Sequence, residues 1–417
     1  MRFSVPVFVV IFFEIFGAFP THASVDEQIK AALSQDLDLR AAETELKKAE
    51  AAFEFRWRSF LPTISLSTTE GRTKVQKLSG EQEDVTVASS SVNASINLFA
   101  GGASLSSYKS DSVNLERQRN VFQTKRRSAV LAIGNDLFAY IFLRKRTEHL
   151  LRQMSNRDQQ EEIASKKYKA GVLSQQEWMQ TSVARDFQRA ELLTIENEME
   201  TVKNRLALNG LMDLGPQDWP LTAGHQLSPV QFPEVNTSPE VRALVAEVDL
   251  LEWQRHSYRA GYLPAVDYFL AGTSDRKFTK PSELETVHGL RLSWSFGDSG
   301  QALLESRKAS LDLDLAKVTL ERTKDRVGRN QEELKKKVMS LRTMVSTLRD
   351  STAKSQTVIT SLRRAFQIGR LSVTDLLQEE NTHLQYLTNF EQLTKELHSV
   401  QLQVCLAAEI GLERCFY

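Results

Sequence analysis

"YKAGVLSQQEWMQ" runs from Tyr168 to Gln180, and "FQIGRLSVTDLLQ" runs from Phe366 to Gln378. Each stretch carries an aromatic residue, then Gly171 or Gly369, Leu173 or Leu371, Ser174 or Ser372, an acid at Glu177 or Asp375, and Gln180 or Gln378. All these pairs share one offset, 369 − 171 = 198, so a chain of 417 residues repeats itself at about half its length. The residues before each stretch say what is repeated. Neither Gly102–Gly171 nor Gly300–Gly369 contains a proline, and both intervals are 69 residues long (171 − 102 and 369 − 300). Within the second, Leu334, Val338, Leu341, Val345 and Leu348 are spaced 4, 3, 4, 3, and the phase continues through Thr352 and Ser355 to Ile359, Leu362 and Phe366. That heptad seam predicts a helix lying along another helix. Val130, Ile133, Leu137 and Ile141 form a related stripe in the first interval. At 1.5 Å per residue each helix is roughly 100 Å long. Leu393, Leu397, Val400 and Val404 resume the spacing after Gly369. The chain therefore reverses near Gly171 and Gly369, where glycine supplies the backbone freedom a reversal needs.

Before each long helix the period changes from helical to alternating. Ile64 and Leu66 alternate with Thr63, Ser65 and Ser67; Val92, Ala94, Ile96 and Leu98 alternate with Asn93, Ser95 and Asn97. In the second half Leu290, Leu292, Trp294 and Phe296 alternate with Gly289, Arg291, Ser293 and Ser295. Such alternation predicts strands with one apolar and one wet face. The polar stretches "RTKVQKLSGEQED" and "SDRKFTKPSELET" between them read as hairpin loops. Leu61-Pro62 and Leu263-Pro264 open the two hairpins at matching places. Phe60, Phe99, Trp294 and Phe296 flank the strands, as interfacial aromatic belts of a barrel or as the core of a soluble sheet.

Five of the ten prolines fall between Gly210 and Val241, which marks a connector. The expected organisation is a first repeat over 24–210, with a strand hairpin near 61–99 and a long helix near 103–170. A Pro-rich connector over 211–239 follows. The second repeat covers 240–417, with a strand hairpin near 264–296 and a long helix near 301–368. In each repeat a helix returns after the long one. Residues 1–23, with Arg2 before the run Val5–Pro20 and Thr21-His22-Ala23 at its end, read as a signal peptide; a short amphipathic anchor is the other reading. Cys405 and Cys415 are either a disulfide or two thiols at a helix end.

Composition excludes several functions. With 53 basic and 53 acidic residues the net charge is zero, which leaves no electrostatic footprint for nucleic acid. The seven histidines are scattered, and neither a Walker loop nor HExxH nor a nucleophile elbow occurs, so no enzyme chemistry and no cofactor or metal is expected. "AGG" at Ala100–Gly102 reads as a strand-to-helix turn. Four strands alone cannot span a bilayer, since an open sheet leaves backbone groups unpaired in lipid; several chains sharing one closed barrel can. Two functions stay open on these grounds, a membrane duct and a soluble exported coiled-coil scaffold or adaptor with a small β domain.

The chain resembles the outer membrane efflux protein (TolC-like) family. The resemblance is carried by Leu61-Pro62, Leu263-Pro264, "LFAGGASLSSYKSD" (Leu98–Asp111) and the two quoted tips, extended to Ala184 and Phe390. It implies a mainly α protomer, internally duplicated, with long antiparallel coiled-coil hairpins and four transmembrane strands. Three protomers complete a twelve-stranded barrel in the outer membrane lipid and an α-barrel reaching into the periplasm. The implied function is the exit duct of a tripartite efflux or type I secretion system, opened by a periplasmic adaptor and an inner-membrane transporter. Asp375, with Gln378 one turn on and Glu177 as first-half counterpart, is implied as the gate and selectivity residue. Gly171, Val172, Leu173, Ser174, Gly369, Arg370, Leu371 and Ser372 are the implied adaptor contacts. Gln378, Phe366 and Leu371 depart from the family's polar gate residues, which changes the contacts that close the tips.

Overall fold

The computed structural model describes residues 25–76, 80, 82–211, 232–260, 262–276, 284–294 and 301–408. The expected signal peptide over 1–23, most of the connector, Phe296 and Cys415 lie outside them. In chain order the elements are α1 (Val25–Gln35), α2 (Leu37–Arg56), β1 (Thr63–Gln76), β2 (Gln82–Ala100), α3 (Ala103–Lys169), α4 (Gln175–Leu208), α5 (Pro239–Ala260), β3 (Ala265–Arg276), β4 (Leu284–Ser293), α6 (Gln301–Gln367) and α7 (Val373–Ala407). Helices α3 and α6 each have 67 residues and start 301 − 103 = 198 residues apart. Most described residues are helical, with one small antiparallel sheet, as the resemblance implies. The chain divides into two compact units, one holding α1, α3 from Ile133 onward and α4, the other holding the remaining elements.

In the first unit α3 and α4 run antiparallel. On α4 the buried Thr181, Gln188, Ile195 and Val202 recur every seventh residue (188 − 181 = 7). On α3 Leu150, Arg157 and Ala164 do the same (157 − 150 = 7). Ion pairs fasten the two helices along their length: Arg205–Asp136 at 2.9 Å, Arg146–Glu191 at 2.8 Å and Arg185–Glu161 at 3.1 Å. Each is partly exposed and contributes at most about 1 kcal/mol, so they set register more than stability. Burial of Ile133, Leu137, Leu206 and α1's Ile29 supplies most of the cohesion.

In the second unit the heptad residues of α6 meet those of α7. Leu334, Val338, Leu341 and Val345 are buried with Leu397, Val400 and Val404, and Phe390 and Leu393 pack against this cluster. Farther along α6, Ala309, Leu313 and Ala316 are buried, as are Val241, Ala246 and Leu250 on α5, which packs on α6. Arg117–Glu247 at 2.9 Å ties the first part of α3 to α5, and Arg56–Asp111 ties it to α2.

The sheet is antiparallel throughout, in the order β1-β2-β3-β4. Its central pairing, β2 with β3, joins the two repeats. A β-bulge between Asn97 and Phe99 shifts that register by one residue at the helix-proximal end. Gly101 then turns the chain into α3 with φ +61, and a Cβ there would lie 2.4 Å from the Ala260 carbonyl oxygen. The first repeat's strand-to-helix turn thus seats on the second repeat's helix-to-strand turn, and only glycine fits. Register places Ile64, Leu66, Val92, Ala94, Ile96, Tyr268, Leu270, Leu290 and Leu292 on one face of the sheet. The opposite face carries Thr63, Ser65, Ser67, Ser91, Asn93, Ser95 and Asn97 on β1 and β2, with Thr63–Ser95 and Ser67–Ser91 hydroxyl pairs at 3.0 and 2.7 Å, and a mixed set of Asp267, Phe269, Ala271, Val287, Gly289 and Arg291 on β3 and β4. Ile64 and Leu66 are each 74% exposed, so the apolar face is uncovered in the single chain. Along β1 that face continues through Thr68 to Glu70, which limits the uncharged band to roughly 20 Å at 3.3 Å per residue.

The α6–α7 seam gives a direct test. Leu341→Ala is expected to cost about 2–5 kcal/mol through lost burial and a residual cavity. The exposed Ser340→Ala on the same turn should stay within about 0.5 kcal/mol, both read by thermal unfolding followed by circular dichroism in detergent.

Candidate functional site

Each tip is a helix end joined to a helix start by five residues, 170–174 in one and 368–372 in the other, and both are built alike. Gly171 (φ +73) ends α3: its N–H donates to the Tyr168 carbonyl at 2.9 Å, and the Val172 N–H donates to Lys167 at 2.9 Å. Gly369 (φ +76) ends α6 in the same way, bonding Phe366 at 3.1 Å while Arg370 bonds Ala365 at 2.9 Å. This is the Schellman arrangement, which satisfies carbonyls the last helical turn leaves open and needs a residue at positive φ. Open space surrounds both glycines, so backbone conformation alone demands them.

The serines begin the returning helices. Ser174 caps α4, accepting from the Glu177 N–H at 3.2 Å, while Glu177 Oε2 accepts from the Ser174 N–H at 3.0 Å and its hydroxyl at 2.7 Å. Ser372 caps α7, accepting from the Asp375 N–H at 3.1 Å and donating to Asp375 Oδ2 at 2.7 Å. The acid at the third helical position is therefore part of the cap in both repeats, and the helix dipole favours its charge. Glu177's carboxyl is held below its ordinary value of 4.5 by the Ser174 hydroxyl and then the Ser174 amide.

Around the caps the two tips differ. In the first, Tyr168 and Trp178 stack with ring centroids 5.2 Å apart and planes 7° from parallel. Val172 is exposed and Leu173 half-buried. In the second, Phe366, Val373 and Leu376 are buried, Leu371 is half-buried, and Arg370, Asp375 and Gln378 are exposed. Phe366 thus contributes a packed apolar plug beneath the second tip.

Behind the tips, polar residues occupy seam positions that a search for apolar heptads passes over. In the first unit Arg157 Nε donates to Gln188 Oε1 at 3.4 Å, and Gln188 donates to Gln153 at 2.7 Å. In the second, Arg363 pairs with the buried Glu380 at 2.8 Å, and His383 Nδ1 meets Ser355 Oγ at 3.0 Å. The signal for His383 was present in the sequence, since the heptad phase ran through Ser355. What it lacked was the partner 28 residues away on α7.

Residues 28–209 match the family model described as outer membrane efflux protein. Over those residues, which lie in the first repeat, the chain is similar to that family. No curated protein matches it. Among solved structures, the outer-membrane channel OprN is 18% identical with a TM-score of 0.81, covering 92% of this chain and 89% of its own. The Campylobacter jejuni CmeC outer membrane channel is 14% identical, TM-score 0.79, covering 91% and 84%. The Neisseria gonorrhoeae MtrE outer membrane channel, in its open state, is 15% identical, TM-score 0.75, covering 92% and 88%. At these identities the likeness carries the fold, and it extends over both repeats of the chain.

The cap has a pH signature. Because Glu177's folded value lies below 4.5, the stability it lends is fully present above that value and is lost as pH falls through the folded one. Hydrogen exchange at the Ser174 amide, corrected for intrinsic rate, should lose protection as pH drops below 4.5. Glu177→Gln should remove that pH dependence.

Proposed function

We propose that this chain is one protomer of a homotrimeric outer-membrane exit duct that extends into the periplasm and carries exported solutes outward. The observation that carries the reading is the sheet: one face is largely apolar and uncovered, and the other carries serine, threonine and asparagine along β1 and β2. Such a sheet suits a wall between lipid and water. The uncharged band of roughly 20 Å is close to the apolar belt of about 25 Å that outer-membrane barrels present. Four strands leave two unpaired edges, and twelve strands from three chains close them, above the roughly eight-strand minimum. Helices of about 100 Å then supply the periplasmic reach. The family match and the three channel folds support the same reading.

The partners that follow are a periplasmic adaptor and an inner-membrane transporter, meeting the tips at Gly171–Ser174 and Gly369–Ser372. Threefold symmetry would gather three Asp375 carboxylates, each held in its cap by Ser372, into a cation-attracting ring. Gln378, one turn on, adds no charge, so this gate repels itself less than one with a second acid there. Glu177 belongs to the first-repeat cap and steadies that tip. MtrE's open state gives a precedent for a channel of this fold that opens.

Single-channel recording of the detergent-extracted protein in a planar bilayer tests this. Small, discrete, cation-preferring steps are expected. Asp375→Ala should raise conductance or lower cation preference by about twofold or more, given the local ion enrichment that charged clefts create. Silence from a protein that stays soluble without detergent would favour the scaffold reading instead.

A further inference from the structure

Three neighbouring strands place Asn97, Asp267 and Arg291 in one row across the wet face, because register pairs Asn97 with Asp267 and Asp267 with Arg291. The row lies at the helix-proximal end of the sheet, beside the bulge that begins at Asn97. Its two charges are each held by a neutral partner. Asn97 Nδ2 donates to Asp267 Oδ1 at 2.8 Å, which points the carboxylate along the sheet toward β2. The Arg291 guanidinium lies 4.6 Å from the centroid of the Phe269 ring, a cation–π contact that turns it toward β3. Opposite Phe269 stands Gly289, and the Phe269 ring lies against it: a Cβ there would be in ordinary contact, 3.8 Å from Phe269 Cε1.

On the same face, the next described rows away from the helices carry Thr63, Ser95, Phe269 and Gly289, then Ser65, Asn93, Ala271 and Val287. None is charged. The next acid is Glu285, six residues along β4 (291 − 285). Asp267 and Arg291 are therefore set apart by two uncharged rows from the next described charge on this face, Glu285.

We propose that this row is a second layer controlling the duct's ion selectivity, a charge-balanced ring at the junction of sheet and helices, separate from the tips, whose balance keeps that level neutral toward cations and anions alike. The inference rests on the exit-duct reading. In a closed trimer the row contributes three carboxylates and three guanidiniums, whose fields cancel for a passing ion. Removing one sign exposes the other, and rings of fixed charge select ions of opposite sign. Arg291→Gln leaves three carboxylates and favours cations; Asp267→Asn leaves three guanidiniums and favours anions. A merely structural role for the pair predicts no such opposition, since both variants would disturb the same contacts.

The experiment measures reversal potentials across planar bilayers under a potassium chloride gradient. It is performed in the Asp375→Ala background, so that the tip carboxylates do not mask the row. Expected is a rise in the cation-to-anion permeability ratio of about twofold or more for Arg291→Gln and a comparable fall for Asp267→Asn. Arg291→Lys, which keeps the charge, should hold the parent ratio and shows that the site tolerates substitution. Channels that conduct with the same ratio in all variants, or with both shifted in one direction, overturn the selectivity layer and leave the duct reading standing. A parent protein that forms no channel overturns both.

Discussion

The backbone groups along the outer edges of β1 and β4 impose the constraint on which the rest of this structure depends. Each edge strand is paired on one side only among the described residues, and the sheet's apolar face is open. In water such a sheet is an aggregation template; in lipid its unpaired amides and carbonyls cost several kcal/mol apiece. In the trimeric duct proposed above both problems vanish, because closure pairs the edges and lipid covers the apolar face. The wet face then turns inward, where its hydroxyl pairs and the Asn97–Asp267 bond meet water.

The helical part answers a different demand, that of making the same reversal twice. The Schellman end and the serine cap are local devices, complete within about ten residues. They account for the repeated glycine, serine and acid without reference to any partner. Glu177 and Asp375 thus have a structural task in their own repeats before any gating task is assigned. The tips diverge in what surrounds the cap, a stacked Tyr168–Trp178 pair in one and buried Phe366, Val373 and Leu376 in the other. The seams behind them diverge as well. Arg157 and Gln188 fill one, while Arg363–Glu380 and His383–Ser355 fill the other. The two hairpins therefore differ in the polar contacts that cross their seams.

Much of this was legible in the chain before folding. Heptad spacing from Leu334 to Phe366 marked α6, the alternation of Ile64 and Leu66 marked β1, and the offset of 198 tied the halves together. Of the candidate site, the glycines and serines were legible because caps are read from neighbours in sequence. Their proposed contacts with an adaptor and a transporter came from the family resemblance alone, because a docking surface has no local pattern. The polar seam residues were missed because a heptad position filled by Gln188 or Glu380 looks like solvent-facing helix until its partner is known.

What the sequence determined by itself was periodicity and punctuation: where helices run, where strands alternate and where the chain turns back. Those features rest on interactions among residues a few positions apart, and their signals survive in one dimension. Tertiary structure alone decided that β2 pairs with β3, that Gly101 seats against Ala260, and that Asn97, Asp267 and Arg291 share a row. Those facts join residues as much as 188 positions apart (276 − 88). A one-residue change of register, such as the bulge after Asn97 introduces, moves every later side chain to the other face, and nothing local records it.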